Sequence, residues 1–150
     1  MPQPPSFDPL RTEIAGHAVR GLAQEFGTPC YVYDAAKIRE RIADLAAFDV
    51  VRYAQKANSN LGVLDLVRRE DVLVDAVSAG EIRRALAAGY TPAGELPPVV
   101  YTADLFDRES LELVVEKNIH VNCGSPEMID QLGDRAAGRQ PTVEDRDRSP

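Results

Sequence analysis

The sequence predicts an α/β fold in which a parallel sheet is covered by helices. Short apolar runs alternate with amphipathic segments five times between Cys30 and Gly133. The runs are mostly apolar throughout, as strands buried on both faces are. The connections between them are short. A doubly wound sheet and a (β/α) barrel both satisfy this pattern, and periodicity alone does not separate them. No GxGxxG or GxxxxGK-S/T motif follows any run, which weakens the nucleotide-binding sheet.

Residues 1–9 hold four prolines and read as an extended leader. From Leu10 to Phe26, Ile14, Ala18 and Leu22 recur at helical spacing, which predicts a capping helix or helix pair. Gly27-Thr28-Pro29 breaks it. Cys30 to Tyr33 predicts a strand, and Asp34 an N-cap for a helix with Ile38, Ile42 and Leu45 through Phe48. Val50 to Gln55 predicts the second strand. Leu61, Leu64 and Val67 mark the next helix, which ends at the charged cluster Arg68 to Asp71.

Val72 to Val77 predicts the third strand. Ser78 and Glu81 have capping-box spacing, and the helix they open closes at Gly89. Val99 to Tyr101 is the fourth strand, followed by an Asp107-capped helix with Leu111, Val114 and Val115. Ile119 to Val121 is the fifth. Ser125-Pro126 is an N-cap with proline at the first helical position; Met128, Ile129 and Leu132 face inward, and Gly133 ends the helix. Eight of the last seventeen residues are charged, so this stretch reads as a solvated tail. The expected organisation is a leader and capping helix over 1–26, a (β/α) body over 27–133 and a charged tail over 134–150.

A chain of 150 residues has room for one ordinary domain. Its net charge of −7 repels nucleic acid and anionic membrane, so neither is an expected partner. No stretch approaches the about eighteen apolar residues of a membrane span. The start lacks a basic region followed by an apolar run, so a cytoplasmic protein is expected. Cys30 and Cys123 form no CxxC pair and read as small buried hydrophobes. His17 and His120 stand too far apart in sequence to suggest a zinc site, and no metal is expected.

The segment that carries chemistry is Arg52-Tyr53-Ala54-Gln55-Lys56-Ala57-Asn58-Ser59-Asn60. A strand ending near Lys56 puts Arg52, Ala54 and Lys56 on one face, with Val51, Tyr53 and Gln55 on the other. A lysine at the carboxyl end of an early strand sits where barrel enzymes keep their chemistry. Removed from water, its neutral amine can condense with an aldehyde. Ala54 below it leaves space for a ring. Composition alone favours an ordinary surface lysine at a strand end, since lysine is rarely buried.

The blocks YAQKANSN, VDAVSAGEIRRALAAGY, VVYTADLFD and IHVNCGSPEMIDQLG, opened by GTPCYVYD, resemble the diaminopimelate decarboxylases in order and spacing. These belong to the alanine-racemase-like class of pyridoxal-phosphate (PLP) enzymes. The likeness runs from about Gly27 to Gly133. It implies the N-terminal portion of a PLP-binding (β/α)8 barrel, incomplete in this chain. It further implies conversion of meso-2,6-diaminopimelate to L-lysine and carbon dioxide, a small amino-acid substrate and a homodimer.

By the same likeness Lys56 would carry PLP covalently. Asp75 would lie beside it and balance charge; its plainer role is a strand-end carboxylate or a partner for Arg52. Asn60 matches the position of a phosphate-proximal side chain, with a helix N-terminus favouring the anion; its plainer role is capping. Capping also accounts for Ser78 and Glu81. Tyr101, Thr102, Asp104, Asn122 and Ser125 end strands or open helices and could line a mouth.

After Gly133 such enzymes continue with an LRINPG-type strand, an HIGS-type histidine, a phosphate-holding glycine loop and arginine, and a β domain with a C-E-S-x-D cysteine. This chain does not contain these, and neither cysteine matches the last. Part of a closed barrel has two open edges, whose cost is comparable with a domain's net stability of about 5–15 kcal/mol. The chain alone is therefore expected to fold poorly, to self-associate through those edges or to need a partner, and to be inactive by itself. Two other readings stand beside this one: a non-catalytic PLP-binding barrel protein, and an interaction remnant of a related amino-acid decarboxylase.

Overall fold

The computed structural model describes residues 10–92 and 96–138. The leader over 1–9 and the tail from 139 onward lie outside the described residues. The chain divides into two compact units, 1–44 and 45–150.

In the first unit the expected helix from Leu10 is replaced by a hairpin. Strands β1 (Glu13–Ile14) and β2 (His17–Ala18) pair antiparallel, with Ile14 opposite His17. The two residues between them, Ala15 and Gly16, both have positive φ, at 50° and 79°. That is the geometry of a tight hairpin turn, and it overrides the helical spacing of Ile14 and Ala18. Helix α1 begins only at Val19 and runs to Phe26.

Cys30 to Tyr33 is not a strand: no neighbour among the described residues pairs with it. Tyr31 is 90% exposed, and its ring stacks on Tyr33 at 6.5 Å between centroids. Cys30 is exposed and Cys123 half-buried, so neither is the buried hydrophobe expected. Asp34 caps α2 (Ala35–Ala43) as anticipated, its Oδ1 accepting from the backbone N–H of Ala36 and of Lys37. The helix stops before Leu45 and Phe48.

The second unit is a four-stranded parallel sheet in the order β3-β4-β5-β6, with helices following the strands. Its strands are β3 (Arg52–Ala54), β4 (Leu73–Ala76), β5 (Val99–Tyr101) and β6 (His120–Val121). The helices are α3 (Leu61–Arg69), α4 (Ala79–Ala87), α5 (Arg108–Glu116) and α6 (Pro126–Ala136). Val74, Ala76, Val99 and Tyr101 form the buried layer with Leu64, Ile82, Ala85, Val114 and Met128 from the helices. Burying such apolar surface is the main favourable term in folding.

The helix starts are local and follow the sequence. Ser78 caps α4, Asp107 caps α5 and Ser125 caps α6, each side chain accepting a backbone N–H three residues on. Gly89, at φ 93°, closes the end of α4. Gly133 does not end α6. The helix passes through it to Ala136, and the left-handed residue is Gly138, at φ 73°. Among the described residues no helix is long and apolar enough to cross a membrane.

Candidate functional site

The carboxyl ends of the parallel strands lie along one edge of the sheet, and the candidate residues gather there. Strand β3 stops at Ala54. Gln55 to Ala57 then form a turn of 3-10 helix, closed by the Asn58 N–H donating to the Gln55 carbonyl at 3.0 Å. The alternation that would put Lys56 on the face of Arg52 and Ala54 therefore ends two residues early. The chain has to turn here to enter α3.

The turn is tied at several points. The Tyr53 hydroxyl donates to the Asn58 carbonyl at 3.0 Å, and the Asn58 Oδ1 accepts from the Asn60 N–H at 3.0 Å. Arg84 donates through Nη1 to the Ser59 carbonyl at 3.3 Å. Asn60 is the N-cap of α3, its Oδ1 accepting from Gly62 N–H at 2.8 Å. The capping role of Asn60 is thus realised, which leaves its NH2 group as the donor available to a ligand.

Lys56 is exposed, and its amine makes no hydrogen bond or ion pair with the described residues. The enclosed amine expected from the sequence is not formed by these residues.

On the neighbouring strand, Asp75 stands opposite Ala54, while Arg52 stands opposite Leu73. The Asp75 Oδ1 accepts from the Thr102 hydroxyl at 2.8 Å and not from Arg52. The Arg52 Nη1 is buried without a hydrogen-bond partner among the described residues. Ala54 and Asp75 are both half-buried, so the small side chain leaves the carboxylate open on that side.

The remaining candidates have structural work. The Glu81 Oε2 accepts from the Val77 N–H at 2.8 Å while Ser78 Oγ accepts from the Glu81 N–H at 3.2 Å, a reciprocal cap. The Tyr101 hydroxyl donates to the Leu105 carbonyl at 2.9 Å, and burial pushes its phenol above the usual tyrosine range. Asn122 and Asp104 are exposed, and Ser125 caps α6.

Two features escaped the sequence reading. One is the Thr102–Asp75 hydrogen bond, which depends on strand register. The other is Gln55, fully buried with neither Oε1 nor Nε2 partnered among the described residues. The only signal for it was a polar residue at a position whose alternation faces the helices.

The residues present suit a pyridoxal group. Lys56 offers an amine with no competing partner, Ala54 leaves room beside it, Asp75 offers a fixed carboxylate, and Asn60 offers a donor at a helix start. Relatives point the same way. Residues 35–144 match the family described as pyridoxal-dependent decarboxylase, pyridoxal binding domain. The chain is 57% identical over 125 residues to a diaminopimelate decarboxylase of Streptomyces coelicolor, covering 83% of this chain and 28% of that protein. It is 49% identical over 137 residues to the Escherichia coli K12 enzyme of that name, covering 91% and 33%.

A solved diaminopimelate decarboxylase superposes with a TM-score of 0.76 at 51% identity, over 83% of this chain and 30% of that one. The Helicobacter pylori enzyme complexed with L-lysine superposes with a TM-score of 0.68 at 32% identity, over 79% and 30%. The chain thus spans about a third or less of the length of these relatives. Its sheet and helices are the N-terminal portion of a PLP-binding barrel, as expected, and the cofactor of that domain is pyridoxal phosphate. The chain belongs to the pyridoxal-dependent decarboxylase family, of which it carries the N-terminal part of the pyridoxal-binding domain.

Proposed function

We propose that this chain is the Lys56-bearing portion of a diaminopimelate decarboxylase, which converts meso-2,6-diaminopimelate to L-lysine and carbon dioxide. One observation carries the reading: the amine of Lys56, unpaired among the described residues, follows the end of β3 by two residues, where Ala54 stands opposite Asp75. The names of the relatives and the L-lysine bound to one of them support the substrate class.

Lys56 would hold the cofactor through its amine. Ala54 would leave space for its ring, and Asp75 would balance positive charge near it. Asn60 would offer its NH2 group to the phosphate at the start of α3, where backbone N–H groups favour an anion. When bound, pyridoxal phosphate supplies the electron sink for the pair left as the bond to the departing carboxylate breaks. With the cofactor bound, the Lys56 amine would be the nitrogen placed to hold a proton for return to that carbon. The exposure of Lys56 favours a second statement: these residues alone bind cofactor without turnover, because catalysis needs water excluded. The working assembly is a cytoplasmic homodimer.

The test is labelling. Incubation with pyridoxal phosphate, reduction with borohydride and peptide mapping should place the label on Lys56, and Lys56→Ala should abolish it. Label spread evenly over surface lysines, or retained at full extent by Lys56→Ala, would overturn the assignment.

A further inference from the structure

The structure assigns Thr102 a positioning role: its hydroxyl fixes the Asp75 carboxylate at the strand ends beside Ala54. The inference deepens the reading above and rests on Asp75 facing the cofactor. Thr102 lies one residue past β5, yet the ladder still holds it. Its N–H donates to the Ala76 carbonyl at 2.9 Å, one step beyond the Ala76–Tyr101 pair. Because Tyr101 points into the helix layer, alternation turns Thr102 to the opposite face, the face of Ala54 and Asp75.

There the Thr102 hydroxyl donates to Asp75 Oδ1 at 2.8 Å. The segment after it is tied as well. The Tyr101 hydroxyl donates to the Leu105 carbonyl at 2.9 Å, and its ring stacks on Phe106 at 5.2 Å. The donor is therefore held from both sides before any ligand arrives.

An ionised carboxylate has about four acceptor positions on two oxygens. Thr102 occupies one on Oδ1 and selects one rotamer of Asp75, leaving Oδ2 for the ligand. Arg52, the other candidate for orienting Asp75, stands opposite Leu73, and its buried Nη1 has no partner among the described residues. Thr102 is thus the side chain that decides where the carboxylate points, without itself touching the reacting atoms.

The experiment compares the parent chain with Thr102→Val, Thr102→Ala and Thr102→Ser, each loaded with pyridoxal phosphate. The readouts are affinity and the visible circular dichroism of the bound cofactor, which reports how rigidly it is held. Valine and alanine should weaken binding about tenfold and reduce the dichroism, with borohydride label still on Lys56 and an unchanged urea midpoint. Serine should restore both. Asp75→Asn, which removes the charge itself, should weaken binding at least as much as Thr102→Val, and adding Thr102→Val to it should cost little more. Parent-like affinity and dichroism in both Thr102→Val and Thr102→Ala, or failure of serine to rescue, would overturn the inference while leaving Lys56 in place. A parent chain that takes no label at Lys56 would remove the pyridoxal reading and this inference with it.

Discussion

The helix-facing side of the four-stranded sheet presents Val74, Ala76, Val99 and Tyr101, each no more than 1% exposed. The opposite side presents Arg52, Ala54, Leu73 and Asp75, all half-buried, beside Val100, which is buried. The strands are the same; what differs is what lies against them. Where α3, α4 and α5 cover the sheet, apolar packing fixes the structure. On the other side Arg52, Ala54 and Asp75 stand among apolar Leu73 and Val100, and the candidate site is built from the polar and small ones. Stability and chemistry are thus divided between the faces of single strands by alternation.

The largest effect should come from the packed side. Ile82 of α4 is fully buried in the helix layer, and Ile82→Ala should cost about 2–5 kcal/mol. Leu73→Ala, on the other face, should cost about 1 kcal/mol or less. Urea midpoints at unchanged slope measure both, and equal losses would break the contrast between the faces.

Next is an alkaline effect. The Tyr90 hydroxyl donates to the Val72 carbonyl at 2.7 Å, and burial pushes its phenol from near 10 up to about 12. Between those values the unfolded chain ionises while the folded one keeps its proton. Stability is therefore whole below about pH 10 and falls as pH rises toward about 12, by about 2 kcal/mol. Tyr101 is shifted in the same direction by burial and adds to the slope. Tyr90→Phe should cost about 1 kcal/mol at neutral pH and flatten this fall. A denaturation series across that range checks the sign, and stability that rises with pH would refute it.

The smallest effect concerns Gln55. Its carboxamide is buried without a partner among the described residues, so Gln55→Met should leave stability unchanged or raise it by about 1 kcal/mol. A clear loss in the melting midpoint would reveal a hydrogen bond made by that amide and would move Gln55 to the polar side of the comparison.

Much of this was legible because it is local. Asp34, Ser78, Asp107 and Ser125 cap the helices expected of them, since a cap needs only the residues of one turn. The rhythm of strand and helix from Val72 to Met128 is equally direct. What was not legible depends on distant partners. Cys30 to Tyr33 has the composition of a strand, but a strand needs a neighbour. Asp75 has two candidate donors in sequence terms, and the register of β5 on β4 brings the Thr102 hydroxyl to it. The hairpin at Ala15-Gly16 was hidden for another reason: alanine rarely takes positive φ, so the pair does not read as a turn.

The coil at Gln55 to Ala57 also sets the reach of the lysine. An extended chain advances about 3.3 Å per residue, whereas this tighter winding advances about 2 Å. Over two residues the anchor of the amine is drawn back by about 2.6 Å toward the rim of the sheet. A single inserted or deleted residue in that coil would move the root of the lysine relative to Ala54 and Asp75.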